Sequence, residues 1–180
     1  ALLLTWNGTG PFNPNLEPIV ISEMFDISFT EVRTLTAMGM PGVWTWAFGE
    51  GFGHHYMESV ATNHNSIGRG YETFGNATAE TVEREVGEWR PQGRPVTRQE
   101  WYRPLPPPKK FKWSLRDNIN YMQTGCLAAL NYTALHSQDL LRSFYRKGYE
   151  SWQKGLKDRP RAFVIPADQG DRSRGAQMIT

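Results

Sequence analysis

Glu72 is the residue of this sequence most suggestive of chemistry. It sits inside Gly70-Tyr71-Glu72-Thr73-Phe74, a strand-like run in which a charge is out of place. Alternation puts Tyr71 and Thr73 on one face, and Glu72 with Phe74 on the other. An acid beside apolar neighbours has its neutral form favoured by desolvation, which is how a carboxylate is tuned toward general-base work. The plainer alternative is an ion pair with Arg69, or an edge-strand position facing water. The sequence leaves both open.

The other chemistry-bearing side chains are sparse. Of the four histidines, His54 and His55 are adjacent, so on a helix they diverge by about 100° and do not readily share a metal. His54 pairs with Glu58 at i,i+4 and His64 lies farther along, but no HExxH element occurs. One such pair arises easily by chance, and His64 reads as a half-buried side chain with its polar atoms satisfied. The single cysteine, Cys126, excludes an internal disulfide and a cysteine zinc cluster. The glycine-rich run 49–53 lacks the Lys-Ser/Thr ending of a phosphate-binding loop. Sequons at Asn7, Asn76 and Asn131 are weak signals, and Asn131 falls mid-helix.

The elements that must position these residues follow from periodicity and punctuation. Residues 1–14 are loop-rich, although Leu2, Leu3 and Leu4 look like a strand end or a buried loop. Pro18 near a start and Gly39 at a stop delimit a helix over about 17–38, with a break expected near 26–28. The β-branched and aromatic run 43–48 predicts a buried strand, 54–67 a helix and 69–74 a short strand. Proline and glycine make 87–112 an extended segment. Its aromatic flanks suggest that it is laid over the domain, rather than offered as a free proline-rich ligand.

A long helical region covers about 115–158. Its first part has an apolar stripe of Ile119, Met122, Cys126, Leu127, Leu130 and Ala134. Its second, an additional helix over 137–158, sets Leu140, Leu141, Phe144 and Tyr145 on a buried side. Arg142, Arg146, Lys147, Lys154 and Lys157 are expected on its exposed face. Residues 161–168 predict a strand, and 159–180 lead toward a region not included. Both ends look cut, so the chain is expected to be a piece of a larger protein.

Helices alternating with strands indicate an α/β layered domain. The 180 residues carry 20 Lys+Arg against 18 Asp+Glu, too near balance to argue for a nucleic-acid partner. No apolar run reaches the roughly 20 residues of a membrane span.

The run GMPGV (39–43), YETFGN (71–76), TVER (81–84), WYR-P-x-P (101–106) and W-S-x-R-x-N-x-N-Y-x-Q-T-G (113–125), in that order, resembles the latter half of the catalytic domain in large bacterial members of the zinc carboxypeptidase family. The likeness extends to FY-x-K (144–147) and V-x-PAD (164–168). It implies a three-layer zinc-peptidase-like α/β domain with a mixed sheet, present as its C-terminal part over 1–136. It also implies peptide hydrolysis by zinc-activated water, with Glu72 as general base and peptide as substrate. Tyr56 is the nearest match to the family's mobile substrate-covering tyrosine, and His54 and His55 would line the cleft. The zinc ligands are expected upstream of Ala1, the fragment alone is expected to be inactive, and the protein is expected to be secreted or periplasmic. The competing expectation is a non-catalytic module of degenerate peptidase-like fold, holding peptide or glycan on a Trp-rich surface.

Overall fold

The computed structural model describes residues 2–7, 9–46, 56–75, 79–88, 90 and 93–179. It is a mixed helix and sheet structure divided into two compact units, Ala1–Lys147 and Gly148–Thr180.

The first unit is organised around β1 (Leu3–Thr5), every residue of which is buried. The leucines therefore form a central strand. A crossover through α1 (Pro18–Ala37) returns the chain to β2 (Val43–Trp44), parallel to β1 with Leu3 opposite Val43. After α2 (Tyr56–Asn63), β3 (Tyr71–Thr73) joins the other side of β1 antiparallel, giving the order β2-β1-β3. A separate antiparallel pair, β4 (Val82–Glu85) and β5 (Lys110–Trp113), brackets the proline-rich segment. The last residues of that segment are thus strand, where an extended coil was expected.

Helix α1 starts as its sequence predicts. Pro18 occupies the first turn, and the Glu17 side chain accepts from the Ile19 N–H at 2.6 Å. Gly39 follows the C-terminus at a φ of 74°, which side-chain-bearing residues rarely adopt. The expected break at 26–28 is absent. Thr30 Oγ1 donates to the Asp26 carbonyl at 2.9 Å, a hydroxyl bonding back one turn without interrupting the helix.

One face of the sheet is covered by α1 and by α3 (Leu115–Leu135), with Leu2, Leu3, Val32, Leu35, Trp113 and Tyr121 in a common core. At the start of α3, Asp117 Oδ2 accepts from the Ser114 N–H at 2.8 Å. The other face carries Leu4 and Trp44 against Val96 and Tyr102. The 94–105 segment is therefore laid over the domain, with Tyr102 1% exposed and Gly42 N donating to the Leu105 carbonyl at 2.8 Å.

Two predicted faces are corrected. On α3 the buried residues are Tyr121, Gly125 and Ala128, while Ile119, Met122, Leu127 and Leu130 are exposed. The helix approaches the sheet through its smallest side chains, because a Cβ on Gly125 would meet Leu3 Cδ2 at 3.2 Å. On α4 (Ser137–Lys157) the expected buried side is largely open, with Leu141, Phe144 and Tyr145 all exposed. Lys147, expected in solvent, is the residue of α4 that is buried.

In the second unit, residues 161–168 form no strand. Phe163 and Val164 are exposed and no described strand pairs with them. A short α5 (Arg172–Gln177) closes the chain, capped by Asp171 accepting from the Arg174 N–H at 3.1 Å. Among the described residues no helix is long and apolar enough to cross a membrane.

Candidate functional site

Glu72 lies in the middle of β3, opposite Leu4 on β1. It is exposed. The desolvation expected from its apolar neighbours is absent, because β3 is an edge strand and this position faces solvent. Arg69 does not pair with it. The Arg69 guanidinium is committed elsewhere, to Glu31 at 2.5 Å.

That pairing belongs to a polar network on the opposite, helix-covered face of the sheet. Glu31 projects from the buried stripe of α1 and its side chain is fully buried. One carboxylate oxygen accepts from Arg69 Nη2, and the other accepts from the Tyr71 hydroxyl at 2.6 Å. Arg69 Nη1 also donates to the Trp6 carbonyl and to Ser28 Oγ, each at 3.0 Å. Asn7, 1% exposed, reaches Thr45 Oγ1, which in turn donates to the Thr5 carbonyl at 2.7 Å. An asparagine so enclosed is not a glycosylation acceptor in the folded chain.

Burial pushes the Glu31 carboxyl above its ordinary value, and the Arg69 charge with the Tyr71 and Arg69 hydrogen bonds offsets part of that rise. The Tyr71 hydroxyl is pushed up by burial and then by the neighbouring Glu31 charge, so it stays a donor. These groups hold helix to sheet, since every strong acceptor and most donors are already matched.

Beside this network lies a cavity of about 780 Å³. Its wall is mainly apolar, with Ile27 from α1, Ile67 from the loop before β3, Leu130 from α3, and Leu140 and Phe144 from α4. Glu23, Arg69, Tyr71 and Lys147 supply its polar part. Lys147 Nζ donates to Glu23 Oε2 at 2.5 Å, with both side chains nearly enclosed. Cys126 also lines the cavity, and burial, followed by the Glu31 charge, pushes its thiol up.

On the other face, Trp101 is 55% exposed and packs between Phe29, at 5.6 Å, and Trp46, at 5.4 Å between ring centroids. Behind it, Arg103 is 1% exposed, lies 5.0 Å from the Trp44 ring and donates to the Pro95 and Arg98 carbonyls.

Tyr56 opens α2, but its side chain lies outside the described residues, as do His54, His55 and the 49–53 loop. His64 is exposed rather than half-buried, with Nδ1 at 2.7 Å from the Val60 carbonyl oxygen. Among the described residues no three His, Cys, Asp or Glu side chains come together to hold a metal ion. The described side chains thus do not fit a zinc site on their own.

Sequence reasoning passed over Glu23, Glu31 and the burial of Lys147. The signal was present in α1, where Glu23, Ile27, Glu31 and Leu35 recur at every fourth position and so share one face. No protein-family model, no curated protein and no solved structure matches this chain.

Proposed function

We propose that these residues are the C-terminal part of a zinc-dependent metallocarboxypeptidase-like catalytic domain, exported from the cell, in which Glu72 is the general base for peptide hydrolysis. The observation that supports this most is the placement of Glu72 on β3. The carboxylate belongs to a strand paired along its whole length with the central strand, so its backbone is rigid, yet its side chain is open to solvent. A base that takes a proton from an attacking water and returns it to the leaving amine must be held in place and within reach of that water. The remainder of the domain and the bound peptide would, in this reading, supply the desolvation. The buried acids Glu23 and Glu31 are committed to Lys147 and to Arg69 with Tyr71, and are poor candidates for the role. In this reading zinc is held by side chains upstream of Ala1, Tyr56 covers the bound peptide, and the three-layer peptidase sheet is completed by strands beyond these 180 residues.

The test compares the complete natural polypeptide with its Glu72→Gln variant on N-blocked dipeptides, with zinc content measured in parallel. The expected outcome is zinc retained and turnover lowered by about 10²–10⁴-fold. Turnover within a few-fold of the unaltered protein rejects the assignment. The 180-residue chain alone is expected to show no hydrolysis.

One observation favours a second reading, a module that holds peptide or glycan without cleaving it: the exposed Trp101 ring, braced by Phe29 and Trp46. Such a module binds oligosaccharide or peptide through Trp101, loses that binding in Trp101→Ala, and is indifferent to Glu72→Gln.

A further inference from the structure

No residue from 148 to 179 is buried. The second unit thus has no apolar interior of its own, as expected of a segment shorter than about 40 residues. Its large apolar side chains are exposed instead. Trp152 and Leu156, four apart on α4, share one face of that helix, and the Tyr149 ring lies 5.8 Å from the Trp152 ring. Beyond the helix Phe163 is 87% exposed, Val164 is 85% exposed, and Ile165 is exposed as well. Cations are interleaved with these groups. Residues 152–165 read WQKGLKDRPRAFVI, with four basic residues against one acid. Lys154, Lys157, Arg159 and Arg161 have no ion-pair partner among the described residues, whereas Arg174 of the same unit pairs with Asp171 at 3.6 Å.

An occupant must answer both features at once. Apolar side chains this exposed gain by leaving water, and four neighbouring cations gain by meeting anions. A second copy of this chain would bring the same cations together. A nucleic acid would answer the cations but offers no apolar phase to Leu156, Val164 and Ile165. A layer of anionic phosphates above an acyl boundary answers both. Trp and Tyr rings settle at headgroup depth, and lysine stems lie along the apolar phase while their ammonium groups reach back to phosphate. We propose that residues 149–165 form a surface that binds anionic phospholipid membranes, with Tyr149, Trp152, Leu156, Phe163 and Val164 lowered to the acyl boundary. The irregular backbone after Lys157 stays at headgroup level, where water satisfies its N–H and C=O groups. This surface is independent of the hydrolase proposal, because it shares no residue with the unit that carries Glu72.

Flotation of the 180-residue chain tests this, using phosphatidylcholine vesicles with or without about one-third phosphatidylglycerol. The chain is expected to float with the anionic vesicles, at least about tenfold less with the neutral ones, and to be released by added salt. Each cation at such a surface is worth about fivefold in affinity. Lys154→Gln, Lys157→Gln, Arg159→Gln and Arg161→Gln together should therefore weaken binding about 10²-fold or more. Phe163→Ser with Val164→Ser keeps every cation and should still weaken it about tenfold or more. All six positions are exposed, so neither variant disturbs a packed interior. Absence of flotation, equal flotation with both vesicles, or binding unchanged in the four-Gln variant overturns the proposal. Binding that survives loss of Phe163 and Val164 overturns it too, since charge alone would then explain the attraction. Tighter binding to a single-stranded oligonucleotide than to the anionic vesicles, at the same salt, overturns it in favour of a nucleic-acid partner.

Discussion

Lys147 Nζ donates to Glu23 Oε2 at 2.5 Å across 124 positions of the chain. The lysine lies 2% exposed and the glutamate 9% exposed at the side chain. This pair ties the first half of α4, residues 137–147, to the buried stripe of α1. A buried pair adds little over well-packed apolar residues, but loss of either partner leaves an uncompensated charge.

Replacement of one member is therefore expected to be far worse than replacement of both. Lys147→Met or Glu23→Leu alone should lower unfolding free energy by about 3–5 kcal/mol, because the remaining ion stays enclosed. The double variant should recover most of that loss, and can exceed the parent. Urea unfolding of the four proteins gives the coupling energy directly. Equal, additive losses would mean that the two side chains do not share a buried site.

Glu31 sets a pH dependence of definite sign. Its folded value is raised above the ordinary 4.5, chiefly by burial. The folded state thus holds the proton more tightly than the unfolded chain, and the associated stability is fully present below pH 4.5 and lost as pH rises through the folded value. Relative to Glu31→Gln, which has no such proton, the parent should be more favoured at pH 4 than at pH 7. Paired denaturant titrations at the two pH values check this. A parent that gains on Glu31→Gln as pH rises would show that the Arg69 attraction outweighs burial.

Much of this fold was legible because local signals and tertiary packing agreed. Pro18 and Gly39 bound α1, the first two residues of the 43–48 run, Val43 and Trp44, make a buried strand, and Tyr102 anchors the proline-rich segment as its aromatic character suggested. The errors have one physical origin. Periodicity finds an apolar face, but it does not say whether anything covers that face. Leu127 and Leu130 form a good stripe, yet α3 turns Gly125 and Ala128 to the sheet because small residues allow close approach. Residues 161–168 have strand composition but no partner strand among the described residues. At the site, Glu72 was visible as an anomaly, whereas Glu31 was passed over although it shares the Ile27 and Leu35 face of α1.

The exposure of Glu72 carries its own expectation. A side chain in solvent, with no ion pair to Arg69, contributes little to folding, so Glu72→Gln should change unfolding free energy by no more than about 0.5 kcal/mol. The same urea midpoint and slope as the parent would establish that any loss of hydrolysis in this variant comes from the carboxylate's chemistry. A loss above about 2 kcal/mol would instead place Glu72 in a structural contact and weaken its candidacy as a base.

Gly125 tests how closely α3 sits on the sheet. Replacing a mid-helix glycine by alanine ordinarily gains about 1 kcal/mol from helix propensity, and Gly148 in α4, with nothing within 4 Å of an added Cβ, should realise that gain. At Gly125 the new Cβ would stand 3.2 Å from both Leu3 Cδ2 and Tyr71 Cε1, on the central strand and on the strand that carries Glu72. Overpacking of that kind costs about 1–3 kcal/mol. Gly125→Ala should therefore be neutral to destabilising where Gly148→Ala stabilises, and Gly125→Val, with two more methyl groups in the same gap and poorer helix propensity, should be worse still. Thermal or urea unfolding of the three variants orders them. If Gly125→Ala stabilises as much as Gly148→Ala, the helix is not pressed against Leu3 and Tyr71.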